Sequence, residues 1–171
     1  MERKHNRFVV FLDIDGVLNS SNTGESRPDG MAGIDYTRVS ILQKAINENC
    51  GGDIVLTSDW KNMNPTDANY RYLITKLADY KLEISGKIDG VNSERGACIK
   101  KYLDEHPEIK EYVILDDNKY DIERYTELKE RLLYTGVDDH CIGKGIENAH
   151  FASSTPATDA LLFMDCIKKF L

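Results

Sequence analysis

The chain has 171 residues, a mass of 19.4 kDa and a formal charge of -7, with 41% hydrophobic and 30% charged residues. That length suits one domain with a full hydrophobic core, and the composition is that of a globular protein, neither disordered nor fibrous. The negative balance works against broad, nonspecific binding to nucleic acid, though not against a small basic pocket for one phosphate.

The start, Met1 to Arg7, is charged and leads into only a short apolar stretch, so it does not read as a secretory signal. No apolar run approaches the roughly 20 residues of a membrane helix. Phe8-Val9-Val10-Phe11-Leu12 is a continuous apolar run that stops at Asp13. Without alternation, it suits a strand buried on both faces, as in a parallel sheet. Ser20 to Gly33, rich in Ser, Asn, Gly and Pro, predicts an exposed loop within a loop or flap region over residues 14–34.

Asp35 is placed to cap a helix carrying Val39, Leu42, Ala45 and Ile46, which Gly51-Gly52 ends. Ile54-Val55-Leu56 is a second apolar run, stopping at Thr57. Pro65 suits the first turn of a further helix with Leu73, Leu77 and Tyr80 on one face. Leu82 to Gly90 is ambiguous between a short strand and a turn. After Ser93 a helix carrying Ile99, Tyr102 and Leu103 is expected to run to about Pro107.

Tyr112-Val113-Ile114-Leu115 is a third run, stopping at Asp116-Asp117, and Leu132-Leu133-Tyr134 suits another strand. Residues 156–171, with Leu161, Leu162, Ile167 and Phe170, predict a closing helix. Strands alternating with helices imply a mostly parallel sheet between helical layers, within a single domain over residues 1–171. The cysteines (Cys50, Cys98, Cys141, Cys166) and histidines (His5, His106, His140, His150) are scattered, with no C-x-x-C pair and no zinc spacing. Buried, reduced thiols in a cytoplasmic protein are the plain expectation.

In a parallel sheet, ligands bind beyond the carboxyl ends of the strands. The residues that follow the runs should therefore converge: Asp13 and Asp15, Thr57 and Ser58, Asp116 and Asp117. Carboxylates packed closely repel one another unless a cation sits among them, and hard oxygen ligands favour Mg²⁺ over zinc. A calcium loop at Asp13-Ile14-Asp15-Gly16 would need glycine at its sixth position and glutamate at its twelfth, where Leu18 and Gly24 stand. The alternative is that these aspartates merely cap strand ends and loops. One motif alone would leave that reading open; three strand ends together weaken it further.

These motifs resemble those of the haloacid dehalogenase-like phosphatases. Phe11-Leu12-Asp13-Ile14-Asp15-Gly16-Val17-Leu18 is similar to the family's first motif, Ile54-Val55-Leu56-Thr57 to its second, and Val113-Ile114-Leu115-Asp116-Asp117 to its fourth. Arg95, in Ser93-Glu94-Arg95-Gly96, is the candidate for the basic third motif, with Lys87 as a competitor. The four occur in the family's order from Phe8 to Asp121. Leu56 to Lys61, with Arg95-Gly96 and Leu115 to Asp117, further resembles small domains of some bacterial RNA-repair proteins, where relatives commonly have Arg in place of Lys61.

The resemblance implies a three-layer Rossmann-like fold, Mg²⁺ as cofactor and phosphatase chemistry. Asp13 would be the nucleophile, Asp15 the general acid and base, Thr57 a hydrogen-bond donor to the phosphate, and Arg95 the balance of charge on the transferring group. Asp13, the backbone carbonyl of Asp15, and Asp117 would hold the metal, with Asp116 and Asp121 as competing ligands. Gly16, Ser58 and Lys61 are candidate substrate contacts, although Ser58 could simply shape its loop and most lone lysines are solvated. Trp60 is expected to anchor core or loop.

Neither of the places where such proteins insert a cap has room for an independent core, so no substantial cap domain is expected. An open site suits a phosphate on a nucleic-acid end or a phosphoprotein better than a small metabolite. A non-catalytic phosphate- or partner-binding module, or a phosphotransferase on the same fold, remain the rival readings; no membrane or zinc partner is expected.

Overall fold

The computed structural model describes residues 8–137 and 142–171. The leader reading at Met1 to Arg7, and His5, His140 and Cys141, lie outside the described residues. A six-stranded sheet has the order β3-β2-β1-β4-β5-β8. Its strands are β1 (Phe8–Leu12), β2 (Asp53–Leu56), β3 (Ile84–Lys87), β4 (Glu111–Asp116), β5 (Leu132–Tyr134) and β8 (His150–Phe151). All neighbours pair in parallel except β5 with β8. A short antiparallel pair, β6 (Gly136–Val137) and β7 (Ile142–Gly143), stands beside it.

β1 is buried at all five positions because helices cover both faces of the sheet. Phe8, Val10 and Leu12 face one core with α1 (Tyr36–Glu48), α2 (Ala68–Ala78) and α5 (Thr158–Lys168). Val9 and Phe11 face a second core with α3 (Arg95–Glu105) and α4 (Thr126–Lys129). The result is a three-layer α/β fold. The connection from β1 to α1 holds an isolated bridge between Ser26 and Ala32 and no inserted domain, so the fold has no large cap. Among the described residues no helix is long and apolar enough to cross a membrane.

Asp35 does cap α1, its carboxylate accepting from the Thr37 N–H. Two local expectations, at Pro65 and at the cysteines, are corrected. Pro65 does not sit in the first turn of α2; Asp67 caps that helix, and the Asp67 N–H bonds the Asn64 carbonyl across a turn with Pro65 at its second position. The expected closing helix is α5, which buries Ala160, Phe163, Met164 and Ile167 and leaves Leu161 and Leu162 exposed. Of the cysteines, Cys166 is buried but Cys50 is exposed and Cys98 half-buried.

Candidate active site

Main-chain hydrogen bonds extend the parallel ladder past the strand ends. The Asp13 N–H donates to the Leu115 carbonyl, the Thr57 N–H to Leu12, and the Thr135 N–H to Asp116, each at 2.9 Å. Asp13, Thr57 and Asp116 are thus fixed along one edge of the sheet, as the strand-end argument requires.

Asp13, Asp116 and Asp117 each bring a carboxylate oxygen within 4.8 Å of the others. Burial, then the Asp116 charge, raises Asp13 well above the carboxylate range. Burial raises Asp116 against the pull of Arg95. Burial and Asp116 push Asp117 up to about 7. Three carboxylates that resist ionising together are a donor set that fits a hard divalent cation. The Asp15 carboxylate is not in this group. Asp116 already accepts from Arg95 on one oxygen and from the Asn118 N–H on the other, which leaves Asp13 and Asp117 the freer ligands.

Arg95 opens α3 and is 2% exposed. Its guanidinium lies 2.5 Å from Asp116 and 3.3 Å from Asp13, donates to Asn92 Oδ1 at 2.8 Å, and is covered by the Tyr120 ring at 4.5 Å. Burial opposes its charge, but Asp116 and Asp13 outweigh burial and hold it protonated. Lys87 is exposed and its amine bonds the Lys61 carbonyl, so Arg95 is the basic group that reaches Asp13. Asp121 accepts from the Gly96 and Ala97 N–H groups at 2.5 and 3.0 Å and caps α3, which separates it from the metal candidates.

Thr57 is fully buried, and its Oγ1 has no hydrogen-bond partner; the same is true of Arg95 Nε. Lys61 is 4% exposed, with its amine 3.4 Å from the Thr57 carbonyl. Burial, then the nearby Arg95 charge, lowers its pKa. Ser58 accepts the Trp60 N–H and caps the short 3-10 turn Asp59–Asn62, the loop-shaping role.

Gly16 has φ +81°, and a Cβ there would lie 2.2 Å from Asp117 Oδ2. Its N–H donates to Asn19 Oδ1 at 2.9 Å, while its carbonyl accepts from Thr135 Oγ1 at 2.8 Å and from the Gly145 N–H at 3.0 Å. Asp15 is exposed, and both of its oxygens are engaged: Asn19 Nδ2 at 2.8 Å and Trp60 Nε1 at 3.0 Å. Sequence reasoning placed Trp60 as an anchor without its carboxylate partner, and missed Asn19, Tyr120 and Thr135. The spacing of Asn19 four residues after Asp15 was a usable signal.

A hollow of about 410 Å³ lined by Phe8, Glu111, Arg131 and Asp159 lies at the opposite, N-terminal end of the strands, where Arg131 and Asp159 pair at 2.7 Å. The carboxylate edge, not this hollow, gathers reactive groups. A family model described as "HAD domain in Swiss Army Knife RNA repair proteins" matches residues 9–139. Neither a curated protein nor a solved structure matches the chain.

Proposed function

The chain belongs to the family of haloacid dehalogenase-like (HAD) domains in Swiss Army Knife RNA repair proteins, and from that premise and the site geometry we propose a Mg²⁺-dependent phosphatase working through an aspartyl-phosphate on Asp13. Membership carries HAD-fold phosphohydrolase chemistry at the level of the superfamily. The observation that supports a phosphate ligand is the pair of buried polar atoms without partners, Thr57 Oγ1 and Arg95 Nε, on residues that flank Asp13. A buried donor left unpaired costs about 1–3 kcal/mol, and an oxyanion would satisfy both.

In this reading Asp13 and Asp117 hold Mg²⁺, with Asp116 behind them anchoring Arg95. The cation, when bound, lets a carboxylate approach an anionic phosphate and polarises the phosphoryl oxygens. An Asp13 oxygen attacks phosphorus; as that bond forms, the bond to the leaving oxygen breaks and Asp15 gives this oxygen its proton. Asp15 then takes a proton from water, whose oxygen attacks phosphorus and releases phosphate and free Asp13. Thr57 and Lys61 donate to the phosphoryl oxygens, and Arg95 offsets their charge.

The uncapped edge suits a phosphate at the end of a polymer, and the family's description favours an RNA end over a phosphoprotein. The test is turnover of an aryl phosphate with and without Mg²⁺, with rapid-quench mapping of labelled enzyme. Label on Asp13, lost in Asp13→Asn and accumulating in Asp15→Asn, supports the reading. Label elsewhere, or equal phosphoenzyme in both variants, overturns it.

A further inference from the structure

We propose that Trp60 is a positioning residue for Asp15, and that Arg27 holds the Trp60 ring in register. The inference rests on Asp15 being the acid and base. Trp60 is the chain's single tryptophan, is 1% exposed, and lies in the turn that follows the Thr57 strand end. A buried indole N–H is donor-only and must find an acceptor. Here the acceptor is the side chain of an exposed aspartate, 45 residues away, at 3.0 Å.

Asn19 Nδ2 holds the other Asp15 oxygen at 2.8 Å, and Asn19 is itself fixed because its Oδ1 accepts the Gly16 N–H. Two donors, one on each oxygen, set the plane of the carboxyl group. Each oxygen keeps a second lone pair for the travelling proton. Misplacing a reacting group by about 1 Å can cost 10²-fold in rate, so this clamp bears on turnover and not on binding alone.

The clamp has a support. The Arg27 guanidinium lies 4.7 Å over the Trp60 ring and is steadied by Asp29 at 2.7 Å. The loop that carries Arg27 is tied to α2 by Glu25 and Lys76 at 2.6 Å. The loop after β1 therefore sets the indole, and the indole sets Asp15.

The single tryptophan allows an isosteric test. Biosynthetic replacement of Trp60 by β-(3-benzothienyl)alanine keeps the bicyclic ring and removes the N–H; Trp60→Phe provides a second variant should that protein fail to fold. Acid assistance matters for alkyl phosphates and little for dinitrophenyl phosphate. We expect kcat/KM, which reports the steps up to phosphoenzyme formation, to fall about 10–100-fold on an alkyl phosphate and by less than about 3-fold on dinitrophenyl phosphate. Asp15→Asn should show the same leaving-group pattern, and adding either Trp60 change to Asp15→Asn should cost nothing more. Arg27→Met should reproduce the pattern at smaller amplitude. Uniform loss across leaving groups, or losses that add to those of Asp15→Asn, overturn the inference and leave the phosphatase reading intact. A flat leaving-group series in Asp15→Asn overturns the acid–base role itself, and this inference with it.

Discussion

Arg95 donates to Asp116 across 2.5 Å in surroundings where neither side chain is more than 2% exposed. The same guanidinium nitrogen is 3.3 Å from Asp13, so one cation answers two buried carboxylates. Removing one partner from such an arrangement costs more than the arrangement itself contributes, because the remaining charge is stranded.

Arg95→Met should accordingly destabilise the metal-free protein by about 3–5 kcal/mol. With saturating Mg²⁺ the loss should shrink, since a second cation then faces the same carboxylates. Urea denaturation in EDTA and in Mg²⁺ measures both. Equal losses under the two conditions would contradict the charge-balancing role.

The carboxylates also set a pH dependence. Asp117 titrates at about 7 in the folded chain against 3.8 for the free side chain, so between those values the native state binds more protons than the unfolded state. Stability of the metal-free protein therefore falls as pH rises from about 4 to about 7. The upward shifts at Asp13 and Asp116 act in the same sense. Mg²⁺ should flatten or reverse the slope by favouring the ionised forms. Melting temperatures across this range, with and without the metal, give the sign directly.

Metal affinity should respond to two changes of different kind. Asp117→Ala removes a ligand and should abolish Mg²⁺-dependent turnover while the fold persists. Gly16→Ala keeps every ligand, but its Cβ would meet Asp117 Oδ2 at 2.2 Å from a backbone at φ +81°. It should weaken metal binding at least about 10-fold by displacing that carboxylate, at a backbone cost of about 1–2 kcal/mol. Titration calorimetry reads both. Unchanged affinity in Asp117→Ala would move the metal to Asp13 and Asp116.

Lys61 offers a case in which stability and function part. Its buried amine has one long bond, to the Thr57 carbonyl at 3.4 Å, and burial lowers its pKa. Lys61→Met should leave stability unchanged or raise it, while weakening inhibition by inorganic phosphate about 10-fold through loss of a charge-assisted bond. Lys87→Ala, at an exposed position, should change phosphate inhibition by less than about 3-fold. If the Lys87 change has the larger effect, the phosphate contact has been misplaced.

β1, β2 and β4 were legible because central parallel strands are apolar on both faces, and their ends pointed to Asp13, Thr57, Asp116 and Asp117. β3 was ambiguous because it is an edge strand of half-exposed residues, Ile84 to Lys87, whose pairing with β2 shifts register between Ile54 and Val55. The closing helix α5 was legible as a helix, but not its buried face, because Ala160 and Met164 share the buried stripe while two leucines take the solvent side. Within the site, Arg95 was a candidate only through the family resemblance, as a basic residue near a helix start. The Trp60 contact with Asp15 and the Thr135 contact with Gly16 join segments 45 and 119 residues apart, and no local spacing encodes them.

That last contact bears on the order in which the chain is made. The Gly16 carbonyl is closed by Thr135 Oγ1 and the Gly145 N–H, and the next carbonyl, Val17, by the Ile146 N–H. A nascent chain exposes Asp13 and Asp15 well before Ile146, yet cannot shut the loop that presents them until that residue is free of the ribosome. Fragments ending before that point would display the carboxylates without the turn that aims them. Competence is therefore acquired only once residue 146 has emerged, in one step of long-range closure.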